Sequence, residues 1–144
     1  MRWFFKLVRT THVAIYRLSG GRVGASLAGM PMLVLATKGR RSGRVHSVPL
    51  GYMMEQESYV VIASYRGSPR HPAWYLNLLK EPQATVQVNR RKIAVVARTA
   101  DAEARERLWT CLVANTPLYK RFQERTKRQI PMVYLTPVAS STAP

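Results

Sequence analysis

The chain has 144 residues, 47% of them hydrophobic, which is enough for one globular domain with a real core and too few for two. Lysine and arginine total 23 against seven acids, a formal charge of +16, and such a surface attracts a polyanion: nucleic acid, anionic lipid or a phosphorylated cofactor. No apolar run approaches the roughly 20 residues that span a bilayer, and Lys6, Arg9 and His12 interrupt the N-terminus before a signal-peptide core can form.

Residues 3–18 have the spacing of an amphipathic helix. Trp3, Phe4, Leu7, Val8, Val13, Ala14 and Leu18 share a side, with Arg2, Lys6, Arg9 and Arg17 largely off it. Gly20 and Gly21 end it. Such a helix either covers the core or lies on an anionic membrane with its aromatics dipping in. Residues 1–20 are thus assigned to this helix, 21–138 to the main domain, and the small-residue stretch 139–144 to a disordered tail.

Residues 32–37 are a short apolar run, expected as a buried strand. A Gly-bounded basic loop follows, Gly39-Arg40-Arg41-Ser42-Gly43. Residues 45–54 read as a second strand in which Pro49 predicts an edge or a bulge. Residues 58–64 are β-branched and predict a third strand; a loop follows over 65–71. Pro72 suits a helix first turn, residues 73–79 continue that helix, and Pro82 stops it. Residues 84–88 and 92–98 predict a hairpin around Asn89-Arg90-Arg91. Residues 101–114 form a helix, capped by Asp101, with Ala104, Leu108, Cys111 and Leu112 as its buried stripe. The single cysteine therefore reads as a small core residue, and a lone thiol fits a cytoplasmic protein. A short helix over 116–125 and a last strand over 132–135 complete the chain. Five or six short, mostly antiparallel strands with helices between and at the ends predict an α+β domain built on a small β-barrel.

Several chemistries are excluded. The glycines at 20, 21 and 24 lack dinucleotide-binding spacing, and no Gly-Lys-Ser/Thr closes the 39–43 loop into a P-loop. His12, His46 and His71 stand apart from any cysteine or carboxylate cluster, so no metal site is expected. No serine nucleophile elbow or carboxylate pair appears.

Two basic, glycine-punctuated segments remain. In Gly39-Arg40-Arg41-Ser42-Gly43, two guanidiniums and a hydroxyl sit between glycines, a pattern suited to bidentate phosphate contacts and to backbone N–H donation. The same segment also reads as a solvated basic turn between strands. In Ala63-Ser64-Tyr65-Arg66-Gly67, a strand end leads into a basic loop and then a helix start at His71-Pro72-Ala73-Trp74-Tyr75-Leu76-Asn77. Helix N-termini favour anions and the aromatics could wall a planar ligand; taken alone, Trp74, Tyr75 and Leu76 read more readily as core.

These motifs, in order, resemble the deazaflavin-dependent nitroreductase family of F420H2-dependent reductases: Thr37-Lys38-Gly39-Arg40-Arg41-Ser42-Gly43 with Pro49-Leu50, then Ala63-Ser64 and Gly67, then His71-Pro72-Ala73-Trp74-Tyr75-Leu76-Asn77-Leu78. The likeness starts near His12-Val13-Ala14-Ile15-Tyr16-Arg17 and reaches Gln129-Ile130-Pro131. It implies a split β-barrel similar to FMN-binding barrels, holding coenzyme F420, reduced as F420H2, in place of FMN. By position it implies that Lys38, Arg40, Arg41, Ser42 and Gly43 hold the phosphate and the glutamate tail. Val48, Pro49 and Leu50 would line the groove, and Ala63, Ser64, Tyr65, Arg66 and Gly67 would contact the phosphate and the ring. Trp74 and Asn77 would shape the ring pocket. A prodrug-activating member of that family has lysine where Tyr65 stands, with Arg66 as the neighbouring cation here. Of its C-terminal tyrosines only Tyr119 is matched, Thr116 and Phe122 taking the other places, so nitroimidazole activation is not expected.

The implied reaction transfers hydride from reduced deazaflavin to an apolar, electron-poor acceptor: a quinone, an enone or a nitro compound. Ser64 and Tyr119 are the candidate hydroxyl donors to the acceptor oxygen, and Trp74, Phe122 and Met132 favour an apolar substrate. The competing readings are a non-catalytic F420 or lipid carrier and a basic nucleic-acid-binding module, the latter without a recognised motif. The expected location is the cytoplasm, at the inner face of the membrane if residues 1–18 bind lipid.

Overall fold

The computed structural model describes residues 26–27 and 29–138; the expected N-terminal helix and the 139–144 tail lie outside them. Among the described residues seven strands form, β1 (Ser26–Leu27), β2 (Met30–Lys38), β3 (Val45–Glu55), β4 (Ser58–Ile62), β5 (Gln83–Val88), β6 (Arg91–Thr99) and β7 (Met132–Pro137). All neighbours are antiparallel, in the order β1-β2-β3-β4-β7-β6-β5. Val34, Leu35 and Ala36 of β2 register with Gln87, Val86 and Thr85 of β5. That pairing closes β2 to β7 into a six-stranded barrel, with β1 as a short flap on β2. The expected split barrel is what forms.

The apolar run of β2 is uninterrupted because both its faces are covered. Leu33 and Leu35 point inward with Val61, Val86, Val95, Val133 and Leu135, while Met32 and Val34 pack on the other side. Fully buried strands lose the polar alternation that one-sided strands show. A second cluster lies outside the barrel, where Val60, Ile62, Met132 and Tyr134 meet Leu108 and Leu112. One barrel end is plugged by α1 (Ala73–Lys80), whose Trp74, Tyr75 and Leu78 join the inner cluster. Helix α1 stops at Glu81, which is extended because a proline follows.

Asp101 caps α2 (Ala102–Asn115) as expected, accepting the Ala104 N–H at 2.9 Å. The buried stripe differs from the expectation at one position: Cys111 is exposed. Trp109 packs on the same cluster as Leu108 and Leu112. It swings the buried face to the far side of Leu108 and leaves Cys111, three residues on, turned to solvent. Helix α3 (Leu118–Glu124) follows after buried Thr116. Asn89, at φ 55°, makes the tight turn of the β5–β6 hairpin. Among the described residues no helix is long and apolar enough to cross a membrane.

Pro49 sits where the sequence places an edge. β4 pairs with β3 only from Tyr52 onward, while β2 pairs with it from Val45 to Gly51. The first half of β3 therefore has one described neighbour and one open side, where a missing N–H costs nothing.

Candidate active site

A cavity of about 920 Å³ opens along that unpaired side of β3. Six consecutive residues, His46 to Gly51, line it. A strand that meets a cavity with one face would contribute alternate residues; here the strand edge itself is the wall. The opposite walls come from the loop after β4 (Ser64, Tyr65, Arg66), the start of α1 (Trp74, Asn77) and α3 (Leu118, Tyr119, Phe122).

The 39–43 loop closes on itself through Gly39 N–H to Arg44 O at 2.7 Å and Gly43 N–H to Gly39 O at 2.9 Å, with Gly43 at φ 72°. Asn77, only 4% exposed, holds it from beneath. Its Oδ1 accepts the Arg40 backbone N–H at 3.1 Å and Arg40 Nη1 at 3.2 Å, and its Nδ2 donates to Thr37 Oγ1 at 3.1 Å. Lys80 Nζ donates to Arg40 O at 2.8 Å. Asn77 thus aims Arg40 as well as lining the pocket.

The loop after β4 is a strained turn. Tyr65, Arg66 and Gly67 have φ of 44°, 56° and 83° in succession, a region that residues with a Cβ avoid. Beneath it lies Arg128, half-buried, donating through Nε to Ser68 O at 2.8 Å, Nη1 to Ala63 O at 3.1 Å and Nη2 to Ser64 O at 2.8 Å. Arg128 Nη1 also lies 3.1 Å from His71 Nδ1. A guanidinium has only donors, so Nδ1 accepts; burial and the Arg128 charge hold the His71 pKa below its ordinary value, keeping that acceptor free. Tyr119 stands edge-on to Phe122, with ring centroids 5.6 Å apart, and burial raises its phenol pKa. The hydroxyl therefore stays protonated as a donor at neutral pH.

Most of the expected residues converge. Arg40, Arg41, Ser42, Val48, Pro49, Leu50, Ser64, Tyr65, Arg66, Trp74, Asn77 and Tyr119 all line the cavity. Lys38 and Gly43 instead edge an adjoining groove of about 470 Å³ shared with Arg40, Arg41, Lys80 and one carboxylate, Glu81. Ala63 is fully buried in the core, and Gly67 is buried against α3; neither belongs to the lining. The sequence reading missed Thr37, His46, Leu118 and Arg128. The place of His46 two residues before Val48 on the same strand edge could have found the histidine; nothing local marks Arg128.

The charge pattern is one-sided. Arg40, Arg41 and Arg66 face the cavity, and among the described residues no carboxylate lines it. Among the described residues the ion pair found is Arg107–Glu55, on the barrel exterior, and no group of metal-ligating side chains forms.

Residues 7–137 match the family model of the F420H(2)-dependent quinone reductases. The chain belongs to this family. It is an F420-dependent oxidoreductase, and coenzyme F420 in its reduced form is its cofactor. The reductase is 35% identical over 129 residues to an F420H(2)-dependent quinone reductase of Mycobacterium tuberculosis, covering 87% of each chain. A solved F420-H2 dependent reductase superposes with a TM-score of 0.66 at 34% identity, covering 73% of this reductase and 93% of that chain. A solved domain-swapped dimer superposes with a TM-score of 0.69 at 29% identity, covering 93% and 97%.

Proposed function

We propose that the cavity holds F420 with its ring along β3 and its anionic half over the 39–43 loop, and that a lipophilic quinone takes the hydride there. The observation that carries this reading is the set of three guanidiniums, Arg40, Arg41 and Arg66, facing one cavity without a carboxylate. A phosphodiester with a glutamate tail needs such a wall, and guanidinium forks match its oxygens. Ser42 adds a hydroxyl, Lys38 and Gly43 edge the groove where the tail continues, and Ala63 and Gly67 support the turn from behind. Val48, Pro49, Leu50 and Trp74 supply the apolar surface that a planar ring requires.

When bound, the reduced deazaflavin supplies the hydride; the chain orients the acceptor against it. A quinone gains negative charge on oxygen as it is reduced, and Ser64 and Tyr119 are the neutral hydroxyl donors placed to stabilise it. With no carboxylate on the wall, solvent delivers the proton. Tyr119→Phe and Ser64→Ala are expected to lower kcat with a quinone by roughly 10- to 100-fold each, at the lower edge of losses seen for oxyanion donors, with F420 affinity unchanged in Tyr119→Phe. Titration read by tryptophan quenching is expected to saturate with F420 and not with FMN or NADPH. Saturation by FMN alone removes the proposal, and unchanged kcat in both variants removes the roles of the hydroxyls.

The same reading places the protein in the cytoplasm, docked at the inner face of the membrane, where such a quinone resides. Trp3, Phe4 and Phe5 beside Arg2, Lys6 and Arg9 support this, as do Tyr65 and Leu118 at the cavity wall, 57% and 39% exposed. The full chain is expected to float with anionic vesicles more than a chain lacking residues 1–18. Equal partition of the two eliminates membrane docking through that segment.

A further inference from the structure

We infer that Arg128, which does not line the cavity, is a positioning residue for cofactor binding: it locks residues 63–68 in the one conformation that aims Arg66 into the site. The inference rests on the reading above that this cavity takes F420.

The turn does not hold itself. Two consecutive residues with side chains, Tyr65 and Arg66, occupy left-handed backbone, and such conformations persist only where the surroundings over-determine them. Two short bonds close the turn, Gly67 N–H to Ser64 O at 2.8 Å and Ser68 N–H to Tyr65 O at 3.0 Å. Arg128 adds what these lack, a tie between the two ends. Its planar fork reaches Ala63 O and Ser64 O before the turn and Ser68 O after it. A rigid plane with donors on both edges fixes three carbonyls relative to one another; an ammonium on a flexible stem cannot.

Arg128 is itself held. Gln123 Nε2 donates to Arg128 O at 2.8 Å, while Gln123 Oε1 accepts Ile130 N–H at 3.0 Å and Arg105 Nη2 at 3.0 Å. Arg105 in turn donates to Ile130 O at 2.8 Å. The clamp is thus anchored through Arg105 of α2, Gln123 of α3 and Ile130 just before β7, none of which lines the cavity. On its other side His71 presents an unprotonated nitrogen. No carboxylate pairs with Arg128 among the described residues. Its charge alone would also attract an anion, so geometry and charge must be separated in the test.

A double-mutant cycle on F420 affinity, read by tryptophan quenching, separates them. Arg66→Ala in the wild-type chain is expected to weaken F420 binding about tenfold or more, as for loss of one charge-assisted contact. Arg128→Lys keeps the charge and removes the fork, and is expected to weaken binding by a similar factor. In the Arg128→Lys chain, Arg66→Ala should then weaken it by less than about twofold, because coupled residues are non-additive. The deazaflavin riboside that lacks phosphate and glutamates is expected to bind all four chains alike, which a general loss of structure would not allow. Arg128→Ala, which removes the fork and the charge together, provides a second background for the same Arg66→Ala comparison. Full F420 affinity in Arg128→Lys, or additive losses in either background, overturns the inference while the cavity reading stands. A wild-type chain without F420 affinity overturns both.

Discussion

Arg41→Ala is expected to lower F420 affinity by roughly tenfold, and Arg40→Ala with Arg41→Ala together by roughly 100-fold or more, the span that follows when contacts of about 1.5–3 kcal/mol from charged donors are lost. Arg41 is exposed, which puts its single loss at the lower end, since solvent screens exposed pairs. Arg40 is half-buried and held at two points by Asn77, so its guanidinium is presented with less freedom left to lose on binding. Removing Arg40 also strips Asn77 Oδ1 of one of its donors, and some of the effect will appear as a looser loop. The losses should shrink as ionic strength rises, because salt weakens the wild-type attraction itself. Unchanged affinity in a folded double variant would leave the cavity without its anion-binding role.

Gly67→Ala is expected to destabilise the fold by about 3 kcal/mol or more, lowering the thermal midpoint by roughly 10 °C for a chain of this size. Gly67 has φ 83°, and a Cβ there would stand 2.5 Å from Phe122 O and 2.9 Å from Arg125 Cβ. A backbone carbonyl cannot rotate away as a side chain can, so the turn and α3 must separate. Those two elements carry Ser64 and Arg66 on one side and Tyr119 and Phe122 on the other, so F420 binding should fall along with stability. Gly29→Ala is the control. Its φ is 81°, yet a Cβ there meets nothing within 4 Å among the described residues. Only the left-handed strain of roughly 1–2 kcal/mol applies. Equal midpoints for the two variants would show that the contact with α3 contributes nothing.

Much of the barrel was legible because strand patterning is local. The apolar run that becomes β2, the β-branched stretch that becomes β4 and the Asn89 hairpin each depend on residues a few positions apart. Pro49 announced an edge, and Asp101 a cap, for the same reason. The cationic cavity was legible because a surplus of charge survives any folding: residues that cannot be neutralised by seven acids must face solvent or an anionic ligand.

What the chain alone determined, then, is its strands, their punctuation and the sign of its binding surface, since these follow from neighbours in sequence. Tertiary structure alone decided which groups meet. Arg128 reaches Ser64 across 64 residues and Asn77 reaches Arg40 across 37. Pairing of β4 with β3 only from Tyr52 onward leaves one side of β3 open as a cavity wall, and the packing of Trp109 turns Cys111 outward. Each depends on the distance between segments that no local pattern encodes, and hydrogen bonds and packing are set by that distance.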